Sequence, residues 1–307
     1  THRDFEFILV DDGSTDDSLA VMRGYAKLDS RVKVLTPGRQ GLCNALNIGV
    51  AAAKSNWVVR LDADDIALPN RFERQIAMIR KFPHAAVIGA FVNHINYRDE
   101  VLSEWRFGPV TEADYRALLA EGSVPQVMHS SAVLNKDIFD RVGGYDQQLA
   151  GAEDYDLFDR MAQHGPILAV PEVLVQYRVH LSSISNRSFL QQKTYTRYVR
   201  ARRRALDAGG SLSYEAYLQQ QATRPYFTRL RANLRDYQAY YYRRGGIAYG
   251  EGQYVEMAWY MGLATLLNPR QALTRVWTQK LSPRARKAVR ASKTTPEESV
   301  SDTPQST

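Results

Sequence analysis

Short apolar runs that stop abruptly at acidic loops, each followed by a helix-compatible stretch, constrain this chain more than any other feature. Residues 5–10 (Phe-Glu-Phe-Ile-Leu-Val) are rich in strand formers and end at Asp11-Asp12-Gly13-Ser14-Thr15-Asp16-Asp17. Ser14 or Thr15 can cap the helix that follows, and Asp16 and Asp17 suit its first turn, where the helix dipole favours negative charge. The pattern repeats with a strand over 32–35, a Pro37-Gly38 turn, a helix over 42–53 with Leu42, Leu46 and Val50 four apart, and a strand over 57–61. Such alternation predicts an α/β fold with a mostly parallel, Rossmann-like sheet flanked by helices, and ligands at the carboxyl ends of its strands.

Further along, Pro69 suits the first turn of a helix reaching about residue 82, and 86–91 reads as a strand. A strand over 131–134, a helix from near Lys136, the Gly143-Gly144 turn, a helix over 152–164 and two strands over 167–170 and 173–179 complete this part. Near Ser185 the pattern changes. From Phe189 onward only helical stretches rich in Arg and Tyr are expected, over 196–207 and 225–244. Three regions follow: an α/β domain over 1–185, a basic helical region over 186–292, and a tail over 293–307 whose Ser, Thr, Pro and Glu predict disorder.

Charge divides along the same line. Residues 1–185 hold 19 Lys and Arg against 25 Asp and Glu, and residues 186–307 hold 21 against 8. An acidic first part suits cation-assisted chemistry on a polar substrate, and a basic second part suits a negatively charged partner or surface. With 44% apolar and 24% charged residues, the 307-residue chain can bury a core and is not a disordered polymer. A single cysteine, Cys43, excludes an intrachain disulfide and a cysteine-based metal site. The most apolar stretch, 257–267, is far short of the ~20 residues that cross a bilayer, and no basic-then-apolar leader opens the chain. The expected location is cytoplasmic, with peripheral attachment at the inner membrane face.

Four groups of residues could carry chemistry. Asp62-Ala63-Asp64 follows a strand directly, and two carboxylates on such a loop, with places left for phosphate oxygens and water, suit Mg²⁺ or Mn²⁺ beside a nucleotide; a solvated acidic turn gives the same letters. A calcium loop does not fit, because Ile66 and Ala67 replace its oxygen donor and its turn glycine. Asp11 and Asp12 form a second acidic loop, and adjacent carboxylates repel unless a donor or cation offsets the cost. Glu153-Asp154 opens a helix in which Leu157, Phe158 and Met161 place Asp154 at the core rim, while Asp156, Asp159 and Arg160 are expected toward water. A rim carboxyl has a raised pKa, which suits a general base; favourable interaction with the helix amino terminus is the alternative. His129 and His180 are ambiguous singly.

Taken in order, Val10-Asp11-Asp12-Gly13-Ser14, Gly41-Leu42 with Asn47-Ile48-Gly49, Leu61-Asp62-Ala63-Asp64-Asp65, Gly143-Gly144-Tyr145-Asp146, Ala152-Glu153-Asp154-Tyr155-Asp156-Leu157 and Tyr177-Arg178-Val179-His180 resemble the family-2 glycosyltransferases of the GT-A fold. The resemblance runs over about residues 5–185. It implies that Asp12, Asp11 and Arg39 meet the nucleotide, that Asp62 faces its ribose, that Asp64 and His180 hold Mn²⁺ or Mg²⁺, and that Asp154, with Glu153 beside it, is the catalytic base. It further implies an inverting, metal-dependent transfer from a nucleotide-diphosphate sugar to a glycan or lipid-linked acceptor in polysaccharide or glycolipid synthesis. Family members usually begin with an extra strand, loop and helix, so a chain entered at Thr1 is expected to be truncated and to leave neighbouring strand edges unpaired.

Rival readings are a metal-dependent nucleotidyltransferase and a non-catalytic relative that holds a glycan or an anionic lipid. In the basic region, Arg200, Arg202, Arg203 and Arg204 amid Tyr195 and Tyr198 suggest an anionic membrane surface rather than nucleic acid, for which no motif is present. A helix bundle packed through Tyr240, Tyr241, Tyr242, Trp259 and Tyr260 accounts for the same composition.

Overall fold

The structure, a computed structural model, describes residues 1–181 and 183–269. The expected tail and the end of the basic region, 270–292, lie outside the described residues. The chain begins β1 (Phe7–Val10), α1 (Ser18–Leu28), β2 (Val32–Leu35), α2 (Leu42–Ala52), β3 (Trp57–Val59), β4 (Ile66–Ala67), α3 (Arg71–Lys81) and β5 (Val87–Ile95). It continues with β6 (Val101–Trp105), α4 (Glu112–Ala120), β7 (Val133–Asn135), α5 (Lys136–Arg141), α6 (Glu153–Met161) and β8 (Ile167–Arg178). Helices follow: α7 (Ile184–Arg187), α8 (Phe189–Asp207), α9 (Tyr214–Ala222), α10 (Tyr226–Gly250) and α11 (Tyr254–Leu267).

The α/β character, the flanking helices and the change to helix after β8 agree with the sequence pattern. Strand direction is more mixed than the alternation predicts. β1 pairs with β2 and β5 with β8 in parallel, and the shorter pairings β3–β7, β5–β7, β5–β6 and β4–β8 are antiparallel. β6 returns beside β5 through a short turn, which allows the reversed direction, whereas β7 returns beside it only after α4. Among the described residues β1 has β2 as its paired neighbour and β3 has β7, so each keeps one unpaired edge. The two strands expected over 167–170 and 173–179 are one strand, β8. Its register against β5 jumps from Ala90–Val170 to Phe91–Val173, so Pro171 and Glu172 form a bulge, as a residue without an amide donor demands inside a ladder.

The core sits between β5, β8 and α6. Val87, Ile88, Ile167, Leu168, Leu157, Phe158 and Met161 are all fully buried, and each such side chain contributes about 1.5–3 kcal/mol relative to exposure. This packing fixes α6, and with it Glu153 and Asp154 at its amino end.

The outer side of α6 corrects the expectation that Asp156 and Asp159 face water. Both are buried under α8. Asp156 accepts from Arg160 at 2.5 Å and from Arg202 at 2.6 Å, and Asp159 accepts from Arg203 at 3.0 Å. The helical period correctly separates apolar from polar faces, but it cannot reveal that a second helix covers the polar one with arginines.

Candidate active site

The first acidic loop leaves β1 and meets the start of α2. Asp11 is buried, its Oδ1 accepts the Ser14 amide at 3.2 Å, and the Ser14 side chain first, with that amide behind it, holds its carboxyl below the ordinary aspartate value against the effect of burial. Asp12 caps the neighbouring helix: its Oδ1 accepts the amides of Gln40 at 2.5 Å and Gly41 at 3.0 Å, and its Oδ2 accepts Gly41 at 3.1 Å. Backbone amides at a helix amino terminus therefore offset the charge of adjacent carboxylates that the sequence left unexplained. Gly13 has φ +81°, and a Cβ there would lie 3.4 Å from Cβ of Arg39, so a glycine lets the Asp11–Asp12 loop approach the segment carrying Arg39.

From α2 the contacts run toward the Gly143-Gly144 turn. Asn47 clamps the backbone of Tyr145, its Nδ2 donating to the carbonyl and its Oδ1 accepting the amide, both at 2.9 Å. Asn44 donates to Gln147 at 3.0 Å. Cys43, buried in α2, feels Glu153 and Asp146; burial first and these charges second push its thiol up to about 12, so it is no nucleophile at neutral pH.

The second acidic loop follows β3. Arg60 is buried, and its guanidinium grips Asp62 with two hydrogen bonds, Nη1 to Oδ2 at 2.6 Å and Nη2 to Oδ1. Ser130 Oγ receives the Asp62 amide at 3.1 Å. Asp64, about half exposed, lies with Oδ2 3.2 Å from Nε2 of His180. Asp65 turns inward, accepts the Arg178 amide at 2.7 Å and has its carboxyl pushed up to about 6 by burial. Arg178 then ties the loop down, donating through Nε to the Asp64 carbonyl at 2.9 Å and through Nη1 to the Asn96 carbonyl at 2.7 Å.

Glu153 and Asp154 complete the arrangement at the start of α6. Glu153 is buried and accepts the Gly151 amide at 2.6 Å, while Asp154 is partly buried and accepts the Tyr155 amide at 2.7 Å. Burial raises both carboxyls; Arg60 opposes the rise, and Asp62 adds to it at Asp154. Burial works against the Arg60 charge as well, yet Asp62, Tyr145 and Asp154 together hold its pKa above the ordinary arginine value. Beneath them His129 meets the Tyr145 hydroxyl at 2.7 Å, and burial lowers its pKa well below the usual histidine value, so it is a neutral structural group.

The structure thus brings Asp62, Glu153 and Asp154 within the field of one arginine, pairs Asp64 with His180, and sets Asp11, Asp12 and Arg39 together at the start of α2. The first group and the third are linked through α2 and the Tyr145 turn. Among the described residues, no cluster of three or more carboxylate, imidazole or thiol groups is close enough to enclose a metal. A carboxylate and an imidazole 3.2 Å apart and partly exposed do fit an ion that takes its remaining ligands from phosphate oxygens and water, as Mn²⁺ and Mg²⁺ commonly do. The sequence reading missed Arg60, Asp65 and Arg178. Arg60 had a signal, a lone charge in the apolar strand run Trp57-Val58-Val59-Arg60-Leu61.

Residues 1–143 match glycosyl transferase family 2. Over 196 residues, 61% of this chain and 60% of the relative, the sequence is 27% identical to an uncharacterized glycosyltransferase of Haemophilus influenzae, so the chain spans about three fifths of that protein. It is 33% identical over 184 residues, 59% of this chain and 67% of the relative, to the amylovoran biosynthesis glycosyltransferase AmsE of Erwinia amylovora. Among solved structures, a mannosyltransferase of Pyrobaculum calidifontis in complex with GDP-Man and Mn²⁺ superposes with a TM-score of 0.45 at 15% identity, over 93% of this chain and 74% of that one. On the family match and the identity to AmsE, this chain belongs to glycosyl transferase family 2.

Proposed function

We propose that this chain transfers a sugar, with inversion, from a nucleotide diphosphate to an acceptor hydroxyl during assembly of a polysaccharide or glycolipid. The observation that carries the reading is the shared field of Arg60, Asp62 and Asp154, which sets a partly buried, raised-pKa carboxyl beside a carboxylate already oriented by a two-point ion pair. Similarity to AmsE, whose name places it in amylovoran biosynthesis, supports a polysaccharide product.

Asp12, Asp11 and Arg39 take the base side of the nucleotide. Asp62 takes the ribose: the Arg60 fork uses one lone pair on each of its oxygens and leaves the others for hydroxyl donors. Asp64 and His180 hold Mn²⁺ or Mg²⁺, which supplies Lewis-acid stabilisation of a departing diphosphate. Asp154 accepts the proton of the acceptor hydroxyl as that oxygen bonds to the anomeric carbon, and the bond from that carbon to the diphosphate breaks with its electron pair leaving on the diphosphate. Glu153, held by the Gly151 amide, lies beside Asp154, and burial first and the Asp154 charge second raise its own carboxyl.

Incubation with a panel of nucleotide sugars and Mn²⁺ tests the proposal. Release of nucleoside diphosphate with an inverted anomeric product supports it. Pyrophosphate release points instead to nucleotidyl transfer, and absence of turnover with retained glycan binding points to a binding protein.

A further inference from the structure

The basic cluster that suggested a membrane surface is occupied elsewhere. On α8, Arg202 and Arg203 are spent on Asp156 and Asp159, and Arg200 donates to the Tyr155 hydroxyl at 2.7 Å, so these guanidinium groups join α8 to α6. A different surface has the needed character. In the first half of α10, Phe227, Leu230, Leu234 and Tyr237 recur at intervals of three, four and three, which sets them on one helix face. That face is open: Phe227 is 72% exposed and Tyr237 44%. Arg231 and Arg235 lie one turn apart beside the apolar stripe, exposed, with no ion pair or hydrogen bond to the described residues. The acid in this segment, Asp236, is taken by Arg197 of α8.

We infer that the first half of α10 is an interfacial helix that docks on an anionic lipid surface. A stripe of Phe, Leu and Tyr edged by unpaired arginines matches a helix lying in a headgroup layer, with its rings among the acyl chains and its guanidinium groups at lipid phosphates. The arginines select lipid over an apolar protein groove, because they would lose hydration there without gaining a partner. No helix among the described residues is long and apolar enough to cross a membrane, so α10 lies on the surface rather than through it. On α11, Trp259 is 67% exposed, and Val255 and Leu266 fall on the same face as it, giving the hairpin a second apolar strip. Binding is measurable without turnover, so this inference can fail while the catalytic reading stands; only the idea that it brings the site to a lipid-held acceptor rests on that reading.

The full chain would be spun with vesicles of phosphatidylcholine alone and with phosphatidylglycerol added. Binding to the anionic vesicles that weakens as salt rises is expected. The Arg231→Gln/Arg235→Gln double variant should lose about 30-fold in partitioning, from ~1 kcal/mol per basic residue, and Phe227→Ser/Leu234→Ser should abolish binding, both with unchanged thermal melts. Equal binding to the two vesicle types, no binding to either, or an arginine variant that binds like the parent would overturn the inference. So would concentration-dependent self-association removed by Phe227→Ser/Leu234→Ser, which would assign the face to a second copy.

Discussion

Arg60 and Asp62 meet fork to fork at the end of β3, with the arginine buried and the carboxylate reaching the surface. A short loop after a strand would otherwise leave Asp62 free to rotate. The fork fixes its plane, and the backbone of Arg60 is fixed in turn by bonds to the Ala132 carbonyl at 2.9 Å and from Arg71 Nη2 at 2.7 Å. The same guanidinium acts on Asp154, so Asp62 and the proposed base share one buried charge.

Removing that charge should therefore separate two effects. Arg60→Gln is expected to weaken nucleotide binding, because Asp62 loses its orientation, and to raise the pKa of Asp154 further. Calorimetric titration with nucleoside diphosphate and the pH profile of transfer measure them independently; a profile that does not move would dissociate Arg60 from the base.

The pH dependence has a defined sign. Asp154 acts as a base only when ionised, and its folded pKa lies above the ordinary aspartate value because burial and Asp62 penalise the charge. Transfer should rise with pH through that elevated pKa, so its acidic limb should lie above the usual carboxylate range. The same shift means that ionising Asp154 costs folding stability: the cost develops as pH rises from the unfolded to the folded pKa and is complete above it. Asp154→Asn should accordingly stabilise the fold at neutral pH, and equal melting temperatures of variant and parent would count against the elevated pKa.

At the proposed metal site, Asp64→Ala should remove the Mn²⁺ dependence of nucleotide binding, and His180→Ala should weaken it. Neither side chain is buried, so their melting temperatures should stay close to that of the parent. Titrations of the Asp64 variant that still respond to Mn²⁺ would move the ion elsewhere.

The α6–α8 interface predicts a stability effect without a direct catalytic one. Asp156 is fully buried and serves Arg160 and Arg202 together, so Asp156→Ala takes the shared carboxylate from two partly buried guanidinium groups, leaving Arg160 the Val142 and Gly144 carbonyls and Arg202 the more distant Asp159, and should cost about 3 kcal/mol. Chemical denaturation measures it; a change within experimental scatter would mean that the arginines find other partners.

Much of the arrangement was legible because strands ending in acidic loops carry both apolar and charge signals. β1, β2 and β3 fall within the apolar runs bounded by turns, though their residues are only partly buried, and β5 begins in its apolar run, which is buried, and continues to Ile95. β4 and β6 escaped because both are short and exposed and therefore carry no alternation. α4 escaped although Thr111 and Asp114 form a capping box, a signature readable as Thr-x-x-Asp. Asp156 and Asp159 could not be placed from sequence, since their burial depends on arginines more than 40 residues away. Neither could the pairing of the α8 arginines with α6, since the letters alone do not tell paired arginines from unpaired ones.

The central claim, that Asp154 is the base at a nucleotide-sugar site, is tested most directly by single-turnover transfer with Asp154→Asn at saturating donor. The account predicts a fall on the order of 10² to 10⁴ in rate, with the dissociation constant for donor unchanged. Transfer within a few-fold of the parent would contradict it.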